Sequence, residues 1–174
     1  MALLFSTIHL LQIVYQNIKK LIAMKRVLIL LTIVNISLIA NAQTAEDSVK
    51  AAVNKLFEGM KNGDAALIKS AFADSAILQT ISNNKAGVTK VTTDPVNEFA
   101  DFVGQQKKGD ADERITFDVV KVDANLAIVW APYKFYYKGT FSHCGVNSFQ
   151  LVRFNGEWKI QYLIDTRRKT NCKE

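Results

Sequence analysis

The chain reads as an α+β protein in which three helices from the first half cover one face of a curved, mostly antiparallel sheet. Three observations lead there. Helical periodicity is confined to residues before about 105, and beyond them apolar and polar residues alternate with a period of two. Asn155-Gly156 between two alternating runs is one of the strongest short hairpin signals. Helices grouped early and strands grouped late favour segregated layers over a parallel, doubly wound sheet.

Each element has its own signal. Thr44 caps a first helix, with Asp47 three residues on as in a capping box. Val49, Val53, Leu56, Phe57 and Met60 recur on one helical face, and Gly63 supplies the left-handed residue that ends it. Asp64 caps a shorter helix with Leu67, Ile68, Ala71 and Phe72 on one side. Residues 76–81 and 88–92 read as strands around a turn-rich loop. Asp94-Pro95, a cap followed by proline at the first helical position, opens a third helix carrying Phe99, Phe102 and Val103. After a polar loop at 105–112 come four long strands: an alternating run at 115–121, then 126–138, 145–154 and 157–167. Pro132 marks a bulge or an edge position, and 139–143 is a connection.

The N-terminal region is a targeting signal. Met24-Lys25-Arg26 is followed by a run at 27–40 that is apolar apart from Thr32, Asn35 and Ser37, and Ala40-Asn41-Ala42 has the small-x-small form that signal peptidases cut. Cleavage after Ala42 leaves a mature chain beginning at Gln43. The run is shorter than the roughly 20 residues a spanning helix needs, so no stable membrane insertion is expected after cleavage. Residues 1–23 are read as an upstream artefact of the gene start or as an extended leader, 24–42 as the signal peptide, and 43–174 as one domain. The expected destination is the periplasm or the exterior.

Removing 1–42 takes away Lys19, Lys20, Lys25 and Arg26 and no acid, which lowers the net charge from +6 to +2. The sequence pI of 9.3 therefore owes much to the leader, and nucleic acid is not an expected partner. Cys144 and Cys172 are the two cysteines. An oxidising compartment favours a disulfide between them, with two buried free thiols as the alternative.

The Asn62-Gly63-Asp64 break, the Phe72-Ala73-Asp74-Ser75-Ala76 segment and the closing hairpin resemble the nuclear transport factor 2-like superfamily. That hairpin runs Phe149-Gln150-Leu151-Val152-Arg153 and Gly156-Glu157-Trp158-Lys159-Ile160. His143-Cys144-Gly145-Val146-Asn147 and Asp165-Thr166-Arg167-Arg168 are similar to stretches of its small secreted bacterial group labelled "Putative lumazine-binding". The resemblance implies a cone-shaped fold with a pocket between sheet and helices. It implies no single reaction, because the superfamily holds enzymes and non-catalytic binders alike.

A two-residue turn at Asn155-Gly156 sets Phe154 opposite Glu157. Carried along both strands, this puts Asn147, Phe149, Leu151 and Arg153 on one face with Trp158, Ile160, Tyr162 and Ile164. Pairing Lys138 with Cys144 adds Tyr133, Phe135 and Tyr137 to that face. The expected ligand-binding residues are therefore Tyr133, Phe135, Tyr137, Asn147, Phe149 and Tyr162, each with a purely structural alternative as core or rim. His143, the one histidine of the mature chain, is the candidate general base at the rim, or else simply exposed. Asp165 and Arg167 are expected to form an ion pair on the outer face or at the strand end.

Ketosteroid-isomerase chemistry lacks its residues here: Ile77-Leu78-Gln79-Thr80-Ile81 carries no acid, and the first helix, residues 46–61, carries no tyrosine. One histidine and two distant cysteines give no metal spacing, and no cofactor motif is present. Three functions stay open: an exported binder of a small, aromatic molecule; a dehydratase- or cyclase-like enzyme using His143 with Tyr133 or Tyr137; and a homodimeric interaction module pairing through Lys134, Tyr136, Gln150 and Gln161.

Overall fold

The computed structural model describes residues 24–25, 44–84 and 86–172. The signal peptide, its cleavage site and the upstream segment thus lie outside the described residues, apart from Met24 and Lys25. Among the described residues no helix is long and apolar enough to cross a membrane.

The elements run α1 (Ala45–Asn62), α2 (Ala65–Ala71), β1 (Phe72–Asn83), β2 (Thr89–Asp94), α3 (Val96–Gly104), β3 (Ala111–Ile115), β4 (Val119–Asp123), β5 (Leu126–Tyr137), β6 (Thr140–Phe154) and β7 (Glu157–Thr166). The sheet order is β2-β1-β7-β6-β5-β3, with β4 pairing β5 beyond β3. Neighbours are antiparallel except β1 and β7, which run parallel. This is the α+β architecture expected.

The helix ends follow the sequence signals. The Thr44 hydroxyl accepts from the Asp47 amide at 3.1 Å and donates to the Asp47 carboxylate at 2.8 Å. The Asp64 carboxylate accepts from the Leu67 amide at 2.9 Å. Gly63 has φ 64°, and a Cβ there would lie 2.6 Å from the Gln106 carbonyl oxygen, so both backbone and space require glycine. Asp94 proves to be the last residue of β2; Pro95 occupies the N-cap of α3 with no side-chain cap bond.

Val49, Val53, Leu56, Phe57 and Met60 of α1 pack with Val129, Phe149, Leu151, Ile160 and Leu163 of the sheet in one apolar core. Phe57 meets Phe149 edge to face at 6.2 Å. Burial of such side chains, roughly 1.5–3 kcal/mol each, holds the helix layer on the sheet.

The strands depart from expectation in four ways. The last third holds five strands, because residues 116–118 leave the sheet between β3 and β4. The gap lies beside Pro132, whose carbonyl accepts from the Thr116 amide at 3.0 Å and whose ring has no amide proton to return. The polar loop gives up Ala111 and Asp112 to β3, which pairs with Tyr133–Tyr137 of β5. Lys138 and Gly139, both at positive φ (50° and 78°), make a two-residue turn, so β6 starts at Thr140 and His143 sits within a strand. Cys144 pairs with Lys134 instead of Lys138. That offset of four residues is even, so Tyr133, Phe135 and Tyr137 keep the face assigned to them.

The fourth departure changes the site. From Phe154–Glu157 to Leu151–Ile160 the hairpin follows the expected register, but Gln150 then pairs with Tyr162. The extra residue on β7 is a bulge, and it reverses every later side chain of that strand. Leu163 and Asp165 turn inward, while Tyr162 and Ile164 turn outward.

Candidate functional site

A cavity of about 370 Å³ lies between the helices and the sheet. Its walls are largely apolar: Leu56, Phe57 and Met60 from α1, Phe99, Phe102 and Val103 from α3, and Leu78, Phe135 and Leu163 from the sheet. Glu113, Tyr133, His143, Asn147, Asp165 and Arg167 gather on the strands, and Asp94, Gln106 and Tyr137 complete the lining. Apolar walls with a few convergent polar groups are what small-ligand sites provide.

Asp165 organises one cluster. Its carboxylate accepts from Thr80 Oγ1 at 2.6 Å, Tyr133 Oη at 3.0 Å and Arg167 Nε at 3.0 Å. Arg167 Nη2 also donates to Thr80 Oγ1 at 3.0 Å, and Tyr133 Oη lies 2.9 Å from the Thr166 carbonyl. Burial, reinforced by the Asp165 and Glu113 carboxylates, raises the Tyr133 phenol well above its ordinary range, so it stays protonated. Burial works against the Arg167 charge, yet Asp165 more than offsets it and the guanidinium pKa ends raised.

Glu113 is placed differently. Its neighbour across β3 and β5 is Phe135, and its Oε1 accepts from Asn147 Nδ2 at 2.7 Å. Among the described residues, the Glu113 carboxyl has no other hydrogen-bond partner. No buried polar side-chain atom among the described residues is left unpaired, so the free Oε2 is accessible to solvent, and Glu113 lines the cavity. Burial pushes the carboxyl from 4.5 up to about 7, aided by Asp165 and opposed by the Asn147 bond and Arg167.

The expected residues are distributed unequally. Tyr133, Phe135, Tyr137 and Asn147 line the cavity. Phe149 faces inward but is wholly buried in the core, filled against Phe57, and lines nothing. Tyr162 is on the opposite face, where its hydroxyl donates to Gln79 Oε1 at 2.8 Å; the β7 bulge put it there. Asp165 and Arg167 do pair, at the end of β7 as one of the two expected placements has it, and Asp165 faces inward and not outward. His143 faces the cavity with its ring 5.7 Å from Tyr133 and 5.1 Å from Phe135. Its Nδ1 lies 3.0 Å from Ser142 Oγ, and no tyrosine hydroxyl among the described residues hydrogen-bonds to it. Burial and then Arg167 lower its pKa, so it is neutral at pH 7. Cys144 and Cys172 are joined as a disulfide. Among the described residues no group of His, Cys, Asp and Glu is arranged to hold a metal.

Sequence reasoning missed Glu113. Residues 105–112 read as a polar loop and the charge continues through Glu113 and Arg114, although Glu113 shares the alternation that runs on from Ile115.

Three helices on one face of a mostly antiparallel sheet, with a cavity between them, is the fold that NTF2-like proteins share. By sequence, residues 44–162 match the family described as "Putative lumazine-binding", and the chain belongs to that family. Solved structures agree on the fold. An NTF2-like protein of unknown function from Shewanella baltica is 15% identical, with 71% of this chain covering 93% of that one at a TM-score of 0.57. A cystatin-like domain of unknown function from Nostoc punctiforme is 19% identical, with 75% covering 82% at 0.56. No curated protein matches the chain.

Proposed function

We propose that the domain is exported and holds a small organic molecule in the cavity between sheet and helices. The observation that carries this is the cavity itself: about 370 Å³ with mostly apolar walls and unsatisfied hydrogen-bonding capacity at Glu113. The family description points to a flat heteroaromatic ligand, and Phe57, Phe135 and Tyr137 offer ring faces for one. Native mass spectrometry of protein purified from its own host tests the reading. A bound mass that is absent from a cavity-filling Val103→Trp variant is expected. A protein free of any adduct, or an adduct indifferent to the plug, overturns it. Export predicts Gln43 as the N-terminal residue of the protein recovered outside the cytoplasm, and a retained Met1 or Met24 there would refute it.

A second reading adds to this one. Ile77, Val119, Ile128 and Trp130 are exposed on the sheet face away from the helices, more apolar surface than an isolated domain needs to show water. This favours a homodimer through that face. Light scattering after size exclusion should give twice the chain mass for the wild type and the single mass for Trp130→Glu or Gln150→Glu. A wild-type monomer at tens of micromolar would end it.

A further inference from the structure

We infer that the ligand is a cation, a compact hydrophobic amine whose ammonium sits on Glu113 while its ring body fills the aromatic half of the cavity. The inference rests on the binding function proposed above and concerns the ligand's charge. The cavity lining holds three carboxyl groups, Asp94, Glu113 and Asp165, against one guanidinium, Arg167. Arg167 is engaged by Asp165 and Thr80, and Asp165 is further satisfied by Tyr133. That cluster is internally balanced. Glu113 is left with one neutral donor, Asn147, and with Oε2 accessible to solvent.

Among the described residues, the one compensating charge facing Glu113 is Arg167, which is already paired with Asp165. β6 contributes Asn147 and neutral His143, β5 contributes the Tyr133 phenol and Phe135, and β7 contributes the paired Asp165 and Arg167. Helices α1 and α3 offer Leu56, Phe57, Met60, Phe99, Phe102 and Val103, none of them ionisable. A half-buried carboxylate in a largely apolar cavity, with one oxygen unanswered, favours a charged, hydrogen-bonding partner. A protonated amine supplies both, and aromatic ring faces add a cation–π contribution. A neutral acceptor would keep Glu113 in its acid form and leave the acidic excess of the lining unanswered.

Occupancy by a cation must draw the proton off Glu113. With the carboxyl titrating near 7, affinity for a permanently protonated amine should rise roughly tenfold between pH 6 and pH 8 and then level off. At pH 7 about half a proton should be released per ligand bound.

The test uses 1-naphthylmethylamine and its neutral counterpart 1-naphthalenemethanol, titrated calorimetrically into the mature domain in buffers of differing ionisation enthalpy. The expected result is an amine at least tenfold tighter than the alcohol at pH 8, with the pH trend and proton release above. In Glu113→Gln the ratio of amine to alcohol affinity should fall towards one and the pH trend should vanish. An alcohol bound as tightly as the amine, or amine affinity that falls as pH rises, overturns the inference while leaving a small-molecule cavity in place. Failure of both probes to bind overturns the inference and the binding function with it. The wild-type pH series stands alone should the variant fold poorly.

Discussion

Replacing Glu113 by glutamine should stabilise the protein, and by an amount that depends on pH in a defined direction. The native structure holds this carboxyl at about 7 against an ordinary 4.5, because burial penalises its charged form more than the Asn147 bond compensates. Between those values the folded chain keeps a proton that the unfolded chain has lost. Stability from this group is therefore fully present below pH 4.5 and is lost as pH rises through 7. At about 1.4 kcal/mol for each tenfold, the total loss above pH 7 is about 3 kcal/mol. Glutamine keeps the oxygen that accepts from Asn147 and never ionises. Urea unfolding of both proteins at pH 5, 6, 7 and 8 isolates the effect, since other titrating groups cancel in the difference. The variant should match the wild type within about 1 kcal/mol at pH 5 and exceed it by about 2–3 kcal/mol at pH 8. A difference that is flat across this range, or a variant less stable at pH 8, would refute the placement of Glu113 as a desolvated acid.

Three further expectations follow from neighbouring features. Asp165→Asn weakens the bonds that the buried carboxylate accepts from Thr80, Tyr133 and Arg167; because the half-exposed guanidinium can be rehydrated, a loss of about 1–3 kcal/mol in urea unfolding is expected, and no loss would place Asp165 on the solvent side. Gly145→Ala would drive a methyl into the Thr166 carbonyl and the Tyr133 ring, so this one-carbon change should cost more than about 3 kcal/mol by chemical denaturation, and a neutral outcome would mean that β6 and the end of β7 are not in contact there. Replacing Cys144 and Cys172 together by serine removes a cross-link spanning 28 residues, worth about 3–4 kcal/mol in the chain-entropy view; an unchanged urea midpoint would show that the bond is not formed in solution.

Local signals carried the layers, both ends of α1 and the start of α2, because caps, left-handed glycines and period-two alternation act over a few residues; Phe72, expected on α2, instead opens β1. Thr44, Gly63, Asp64 and Asn155-Gly156 each do in the structure what their chemistry predicts. The inward direction of Tyr133, Phe135, Tyr137 and Asn147 was also legible, since a register wrong by four residues still preserves the face.

Which alternate residues at the end of β7 face the cavity was settled by packing across the whole fold. Residues 162–165 read Tyr-Leu-Ile-Asp, and either alternate set is apolar enough to point inward, so no local pattern announces the bulge opposite Gln150. One inserted residue exchanged Tyr162 and Ile164 for Leu163 and Asp165, and with them turned an aromatic wall into an acidic one. Glu113 was hidden for a related reason. Its meaning comes from Phe135, Asn147, Asp165 and Arg167, brought beside it from distant parts of the chain, and a carboxyl in a charged pentapeptide carries no sign of those neighbours until the fold exists.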